Sequence, residues 1–506
     1  MVTNIIRVAV MAIIGLAMVP YYIDQFGIRT YAILPLVTSL TTYVQIASDS
    51  LGESFARFLV LAIHGGDEAQ TNRTYTSSIV GMFKLIMITL PVIVIISLVS
   101  PIIFDTGGSA NLDVQIMFFL VLLSSLLMSF MTCLNSVFMA YNYLFVMYII
   151  RIVHTVLQVA LVLLFFITEG PSLILLGMSY MISSIALVVG LFIGVKKINP
   201  DLKVTYREYD KKLVVEMSKL GLWSMVSRLG DILFIQASMI IVNIFLGSDI
   251  QGEFSIAANM ISIVFTICGS IAAVGVPLTY KYYNDKNKEM IRSTLSIFTK
   301  FTGLIMVFPL AYLCIFAPQI LNLWLSDDYP NVVKMMMITI PICLAKCVMN
   351  ILGSIPVIYA KVKPVSISTC LIGGINILLA IVFLSFTDTG VYGVCVAWGI
   401  SVLILDALYY PIFISKLTGM KVTVFYKPLV VNYLMFGLFI ALGLLLNQYY
   451  TLPSTWLALI ATSVTGFAIY IVILFRLGLN NEEKKVISGY FPRSIGRLIV
   501  GNIKYE

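Results

Sequence analysis

Charge is scarce in this chain. Only 11% of its 506 residues are Asp, Glu, Lys or Arg, roughly half of what a soluble chain carries. Histidine is nearly absent: His64 and His154 are the two, too few to build a metal cluster. No Gly-rich nucleotide loop occurs, which sets aside ATP-driven transport by this chain alone. The seven cysteines all fall in apolar runs with neither metal spacing nor a disulfide pattern, so they read as small packing residues. No cofactor is implied. Apolar residues fill the space left by charge, at 60% of the chain with a mean hydropathy of +1.01. Apolar runs of about 18 residues or more recur throughout, each able to cross a ~30 Å hydrocarbon core as a helix. The chain reads as an all-α polytopic membrane protein of the plasma (inner) membrane. The first run, 3–19, lacks a small-residue cleavage site and leads into further spans, unlike a signal peptide.

About fourteen transmembrane helices are expected, near 3–22, 31–62, 76–100, 114–140, 143–167, 172–195, 219–246, 252–278, 293–317, 332–358, 365–386, 391–415, 428–448 and 455–475. Their connections alternate in character. One set is short (DQFGIRT, TEGP, LGSDIQG, TDTG, QYYTLPS), and the other carries the basic residues. Of 32 Lys and Arg, only Arg29 and Lys334 fall on the short side, so both termini are expected in the cytoplasm. The net charge of +8 then suits anionic lipid head groups and gives no reason to expect nucleic acid.

The longest basic loop divides the first twelve spans into two six-helix lobes around a central cavity, with two extra helices behind. The expected organisation is an N-terminal lobe over 1–197, an inter-lobe loop over 198–218 and a C-terminal lobe over 219–417. Spans thirteen and fourteen cover 418–475, and a cytoplasmic tail covers 476–506. The turns FGIRTY and LGSDIQGEF, after spans one and seven, share a shape: apolar, Gly, a few residues, aromatic. That is a weak internal repeat, placed where a two-lobed transporter would have one.

Polar residues line up within the spans. Thr38, Thr42, Gln45, Asp49, Glu53 and Arg57 step by three or four along span two and share a helix face. Span seven repeats the pattern with Ser224, Ser227, Arg228, Asp231 and Ser238, and span eight with Ser255, Asn259, Ser262, Thr266 and Ser270. A central intramembrane charge costs at least ~2.5 kcal/mol, so such stripes face a bundle interior or a wet cavity. Arg7 and Lys84 lie near cytoplasmic ends and can snorkel. Arg151 lies on the order of 12 Å from its cytoplasmic end and Lys346 about 18 Å, beyond easy snorkelling. Arg228 and Asp231, three apart, can also be read as a structural ion pair. Arg57, Arg151, Arg228 and Lys346 are therefore the candidate cavity cations for an anionic head group, with Arg able to fork phosphate oxygens. Asp49, Glu53, Asp231 and Asp406 would temper that charge or carry a coupling ion, H+ or Na+. Gln45, Ser224 and Asn259 are the candidate polar lining.

Four stretches carry a resemblance. VPYYIDQFGIRTYAILPLVTSLTTYVQIASDSLGESFAR resembles the first two helices, and GLWSMVSRLGDILFIQASMIIVNIFLGSDIQGEFSIAANM the seventh and eighth, of Wzx-type flippases for lipid-linked oligosaccharides. ILNLWLSDDYPNVVKMMMI resembles the end of helix nine, and YAKVKPVSISTCLIGGINILLAIVFLSFTDTGVYGVCVAWGIS helices eleven and twelve. That family lies within the multidrug/oligosaccharidyl-lipid/polysaccharide exporter superfamily. The resemblance implies alternating access and movement of a polyprenyl-diphosphate-linked oligosaccharide from the cytoplasmic to the outer leaflet. In the related lipid II flippases cavity arginines serve the diphosphate, a role that carries over most readily to Arg57. The chain departs from that pattern in lacking an arginine deep in span one.

Two other readings compete. A cation-coupled drug exporter of the same superfamily would want acidic residues with few cations in the cavity, against Arg151, Arg228 and Lys346. A polysaccharide polymerase or ligase would want catalytic groups on a large outer loop, and PIIFDTGGSANLD and APQILNLWLSDDYPN offer no such set. The expected partners are the lipid-linked glycan and membrane lipids, and a monomer is the simplest working unit.

Overall fold

The computed structural model describes residues 2–325, 329–449, 455–474 and 476; the side chains of 2–6, 8, 9, 47, 53, 220–224, 227 and 446–449 lie outside that description. So does the expected tail beyond position 476. Every regular element among the described residues is helical. The first half holds α1 (Val2–Tyr31), α2 (Ile33–Gly65), α3 (Glu68–Ile103), α4 (Asn111–Leu127), α5 (Phe130–Ala140), α6 (Leu144–Glu169) and α7 (Leu173–Ile198). The chain continues through α8 (Lys211–Asn284), α9 (Lys288–Leu325), α10 (Pro330–Met349) and the single turn α11 (Ile355–Ile358). It ends with α12 (Val362–Phe386), α13 (Val391–Val402), α14 (Tyr410–Thr418), α15 (Thr423–Tyr449) and α16 (Trp456–Ile473).

Twelve of these segments, among the described residues, are long and apolar enough to cross a membrane. One of them, 228–284, is interrupted at Gly247, and the 33-residue α2 with its charged ladder falls outside the twelve. The protein is thus an all-α polytopic membrane protein with twelve to fourteen long helices. Its exterior agrees: Ile88, Val92, Ile95 and Ile102 form an exposed apolar stripe down α3, as lipid requires and water would penalise.

Local chemistry sets the ends. Asp67 caps α3 by accepting the N–H of Gln70 at 3.1 Å, with Glu68 in the first turn. Gly66 closes α2 in the left-handed conformation, which spares a side chain the clash. Thr455 caps α16 and Pro330 opens α10. Spans expected as single rods are broken in places. The 114–140 run is α4 and α5, and 391–415 is α13 and α14 joined by a wide π-turn over Leu403–Tyr409.

The chain forms two compact units. The first comprises Met1–Ala258 and Val362–Ser401. Its core gathers Phe55, Tyr75, Met82, Cys133, Phe138 and Met217. Buried serines on α4 (Ser124, Ser125) and α7 (Ser179, Ser183, Ser184) let those two helices lie close, and several return their hydroxyls to their own helix carbonyls. The α8 segment is sewn to α12. Asn376 donates to the Leu233 and Phe234 carbonyls at 2.9 and 3.2 Å, and Gly230 and Gly373 meet where a Cβ would strike backbone.

The connection 199–210 is fastened to α3. The Lys203 N–H donates to Asn72 at 3.1 Å, Thr76 donates to the Lys203 carbonyl at 3.1 Å, and the Asp210 N–H donates to Ser77 at 3.0 Å. Arg73 and Asp210 add an ion pair at 2.5 Å. Burial opposes the charged form of the Asp210 carboxyl, but N–H groups of Lys212 and Leu213 and the Arg73 guanidinium outweigh it and hold its pKa low.

The second unit comprises Asn259–Lys361 and Val402–Glu506. Phe308 of α9 sits in an aromatic cluster with Tyr312, Phe439, Phe467 and Tyr470, which fixes α15 and α16 to α9. Tyr433 of α15 donates to the Pro341 carbonyl at 2.9 Å, tying α15 to α10.

Candidate functional site

The polar ladder of α2 meets α8 in the first unit. Asp49 Oδ2 lies 3.4 Å from Arg228 Nη1, a long contact between side chains each about 40% exposed. Arg228 therefore reaches across to α2, not only toward Asp231 one turn along its own helix. Asp231 itself stands exposed.

Arg151 of α6 joins this group. Its guanidinium lies within electrostatic reach of Arg7, Tyr148 and Asp49. Its Nε is buried without a hydrogen-bond partner, as is Nε2 of His154 three residues on. Arg7 of α1 stands 5.8 Å over the Tyr148 ring, a cation–π distance. Arg7, Arg151 and Arg228 thus gather around Asp49, with Asp231 one turn from Arg228, and the buried Arg151 Nε leaves a donor unsatisfied at a cost. An anion would relieve it.

Other expected residues lie elsewhere. Arg57 is exposed two turns beyond Asp49, and Gln45 is half-buried one turn before it. Glu53 and Ser224 hold helical positions in α2 and α8, but their side chains lie outside the described residues. Lys346, Asp406 and Asn259 belong to the second unit. Lys346 Nζ stands 5.0 Å over the Phe265 ring. Asp406 is buried at 5% exposure within the π-turn, an element that tends to mark functional sites. Asn259 is half-buried on α8.

Arg7 is the residue the sequence undervalued. Its nearness to a helix end reads as snorkelling, and its ring partner lies 141 positions away, on α6, by the numbering. Among the described residues no group of three or more His, Cys, Asp or Glu could hold a metal.

The family model described as "Polysaccharide biosynthesis protein" matches residues 55–334. An uncharacterized membrane protein of Bacillus subtilis (strain 168), EpsK, is 23% identical over 484 residues, 95% of each chain. Among solved structures, the lipid II flippase MurJ in an inward closed conformation superposes with a TM-score of 0.70 at 15% identity, covering 94% of this chain and 98% of that one. An inward-facing multidrug resistance MATE family transporter of the MOP superfamily superposes at 0.69 with 13% identity, covering 81% and 94%. At these identities the likeness is one of fold.

Proposed function

From the premise that the chain belongs to the polysaccharide biosynthesis protein family, we propose that it is a flippase for a polyprenyl-diphosphate-linked oligosaccharide. It moves the head group from the cytoplasmic to the outer leaflet by alternating access, and it is a transporter and not an enzyme. The observation that carries this reading is Arg151: a guanidinium with a buried, unpartnered Nε, next to Arg7 and to an Asp49 already shared with Arg228.

A diphosphate fits that group. Its oxygens take the fork of one guanidinium and the charge of the others. The 3.4 Å Asp49–Arg228 contact is weak enough for an arriving anion to displace. Arg57, exposed toward one end of α2, is the natural first encounter point. The MOP fold of the solved relatives supports alternating access, and their names span lipid II and drug substrates. The cluster of arginines favours the first for this chain, since a drug exporter of the cation-coupled kind wants the opposite sign. Asp406 and Asp231 are assigned to ion coupling, and Gln45, Ser224, Asn259 and Lys346 to the lining. The lobes 1–197 and 219–417, both termini in the cytoplasm, the plasma-membrane setting and a monomeric unit complete the reading.

The test is flipping in reconstituted vesicles with a fluorescent polyprenyl-diphosphate oligosaccharide, comparing wild type with Arg151→Met, Arg228→Met and Lys346→Met. Loss of one charge-assisted phosphate contact, about 1.5–3 kcal/mol, lowers flipping by on the order of ten-fold or more in Arg151→Met while the protein stays monodisperse. Unchanged flipping in Arg151→Met returns that arginine to structure and removes the proposal's main support.

A further inference from the structure

The turns after spans one and seven are equivalent in the internal repeat, and the structure brings them together. Gly27 has φ 72° and ψ 164°, and Gly247 has φ 81° and ψ 178°. This region is open almost only to glycine, and it occurs at the same place in both halves. Residues two positions beyond each glycine, Arg29 and Asp249, are separated by 220 in sequence, the same offset as the glycines. They pair with each other. Arg29 Nε lies 2.7 Å from Asp249 Oδ1 and Nη2 lies 2.7 Å from Oδ2, a two-pronged fork.

The same offset relates Ala32 to Gly252, and these two also meet. A Cβ on Gly252 would lie 3.5 Å from the Ala32 Cβ and 2.9 Å from the Ile28 carbonyl oxygen. Two pairs of repeat-equivalent residues in mutual contact define a local pseudo-two-fold axis between the turns. A repeated surface meeting itself would normally set like charges opposite each other. Here one half carries Arg and the other Asp, so the contact attracts.

Asp105, in the loop after α3, braces the pair. It accepts the Ser248 N–H at 2.7 Å, and its backbone exchanges two hydrogen bonds with Asn243, at 3.0 and 3.1 Å. Gly107 lies so close to Arg29 that a Cβ there would sit 2.9 Å from the Arg29 Cβ. One feature opposes closure. Gln251, fully buried, has both amide atoms unbonded. Its repeat mate Tyr31 is hydrogen-bonded to Ser255, whose own mate is Pro35, a residue with no hydroxyl and no N–H. The closed contact thus leaves a hydrogen bond unmade and is poised to release.

We propose that Arg29–Asp249 is a latch that holds the two repeat-equivalent turns together at the end of the helices away from the basic loops, and that it opens and closes during the transport cycle. The inference stands on the repeat geometry and is independent of which substrate is carried. Because the two positions are equivalent, exchanging the charges rebuilds the latch.

The test uses Ser255→Cys, a position 3% exposed behind the latch, labelled with a water-soluble maleimide in purified protein, with the parent protein measured for background. Arg29→Asp replaces attraction by repulsion and speeds labelling about five- to ten-fold. The exchange Arg29→Asp/Asp249→Arg restores the slow rate. Raising the salt speeds labelling in the parent reporter, because the pair is exposed, and has little effect on an Arg29→Gln reporter. If Arg29→Asp does not fold, the Arg29→Gln rate and its lost salt response decide. An unchanged rate in the folded single variants, or a charge exchange that folds but stays fast, overturns the latch.

Discussion

Two adjacent glycines in α12 offer a clean measurement of how tightly this membrane fold is packed. A Cβ on Gly373 would lie 2.8 Å from the Leu233 Cβ and 2.9 Å from the Gly230 carbonyl oxygen, whereas a Cβ on Gly374 would meet nothing within 4 Å. The helix-propensity gain from Gly to Ala, about 1 kcal/mol, is the same for neighbours in one helix and cancels in the comparison. What is left is the steric term. Backbone oxygen cannot rotate aside, so relief requires α8 and α12 to separate by several tenths of an ångström, at about 1–3 kcal/mol for overpacking. Gly374→Ala is therefore neutral to stabilising, and Gly373→Ala lies below it by about 1–3 kcal/mol. The assay is thermal unfolding in detergent, followed by the monodisperse fraction, with both variants in the same preparation. That difference corresponds to a melting gap of roughly 1–3 °C. Equal melting temperatures, or Gly373→Ala above Gly374→Ala, would refute the close crossing of α8 and α12.

Further outcomes follow from other contacts. Asn376→Ala removes the amide that bonds the Leu233 and Phe234 carbonyls, costing about 1–3 kcal/mol in the same melting assay; a loss within error would show those carbonyls to be satisfied without it. Asp105 carries a pH signature. The Ser248 N–H first, then the Gly107 N–H, the Ser248 hydroxyl and Arg29, outweigh partial burial and hold its carboxyl below the ordinary range. A lowered folded value means its stabilisation is complete above about pH 4, where the unfolded carboxyl is ionised, and fades as pH falls through the folded value. Melting of wild type and Asp105→Asn should therefore converge on acidification below about pH 4; a constant difference would contradict the assignment.

The sequence carried the helices well because lipid makes the signal local. Each apolar run must satisfy its own backbone, so length and hydropathy alone locate α3, α6, α7 and α9. Breaks inside runs were illegible. Nothing in LILDALY marks a π-turn, and the division of 114–140 at Met128 has no Gly or Pro to announce it. The face of α2 was readable from spacing, since Asp49 follows Gln45 by four. The partner of Asp49 was not, because Arg228 lies 179 residues away. The same limit hid Arg7, whose ring partner sits on α6. The shared shape of the two glycine turns was visible, but their meeting depends on how the halves fold over each other.

The fastening of 199–210 to α3 changes what kind of object that connection is. A tether only limits distance, and any loop of similar length could replace it. This one binds through Asn72, Thr76 and Ser77, by its own main chain, so it behaves as a docked segment whose place on α3 is recognised, not merely permitted. A chain cut after Asp210 would keep that segment seated, whereas insertions between Lys203 and Asp210 would unseat it. The connection is thus held twice, once by its covalent ends and once by recognition on α3.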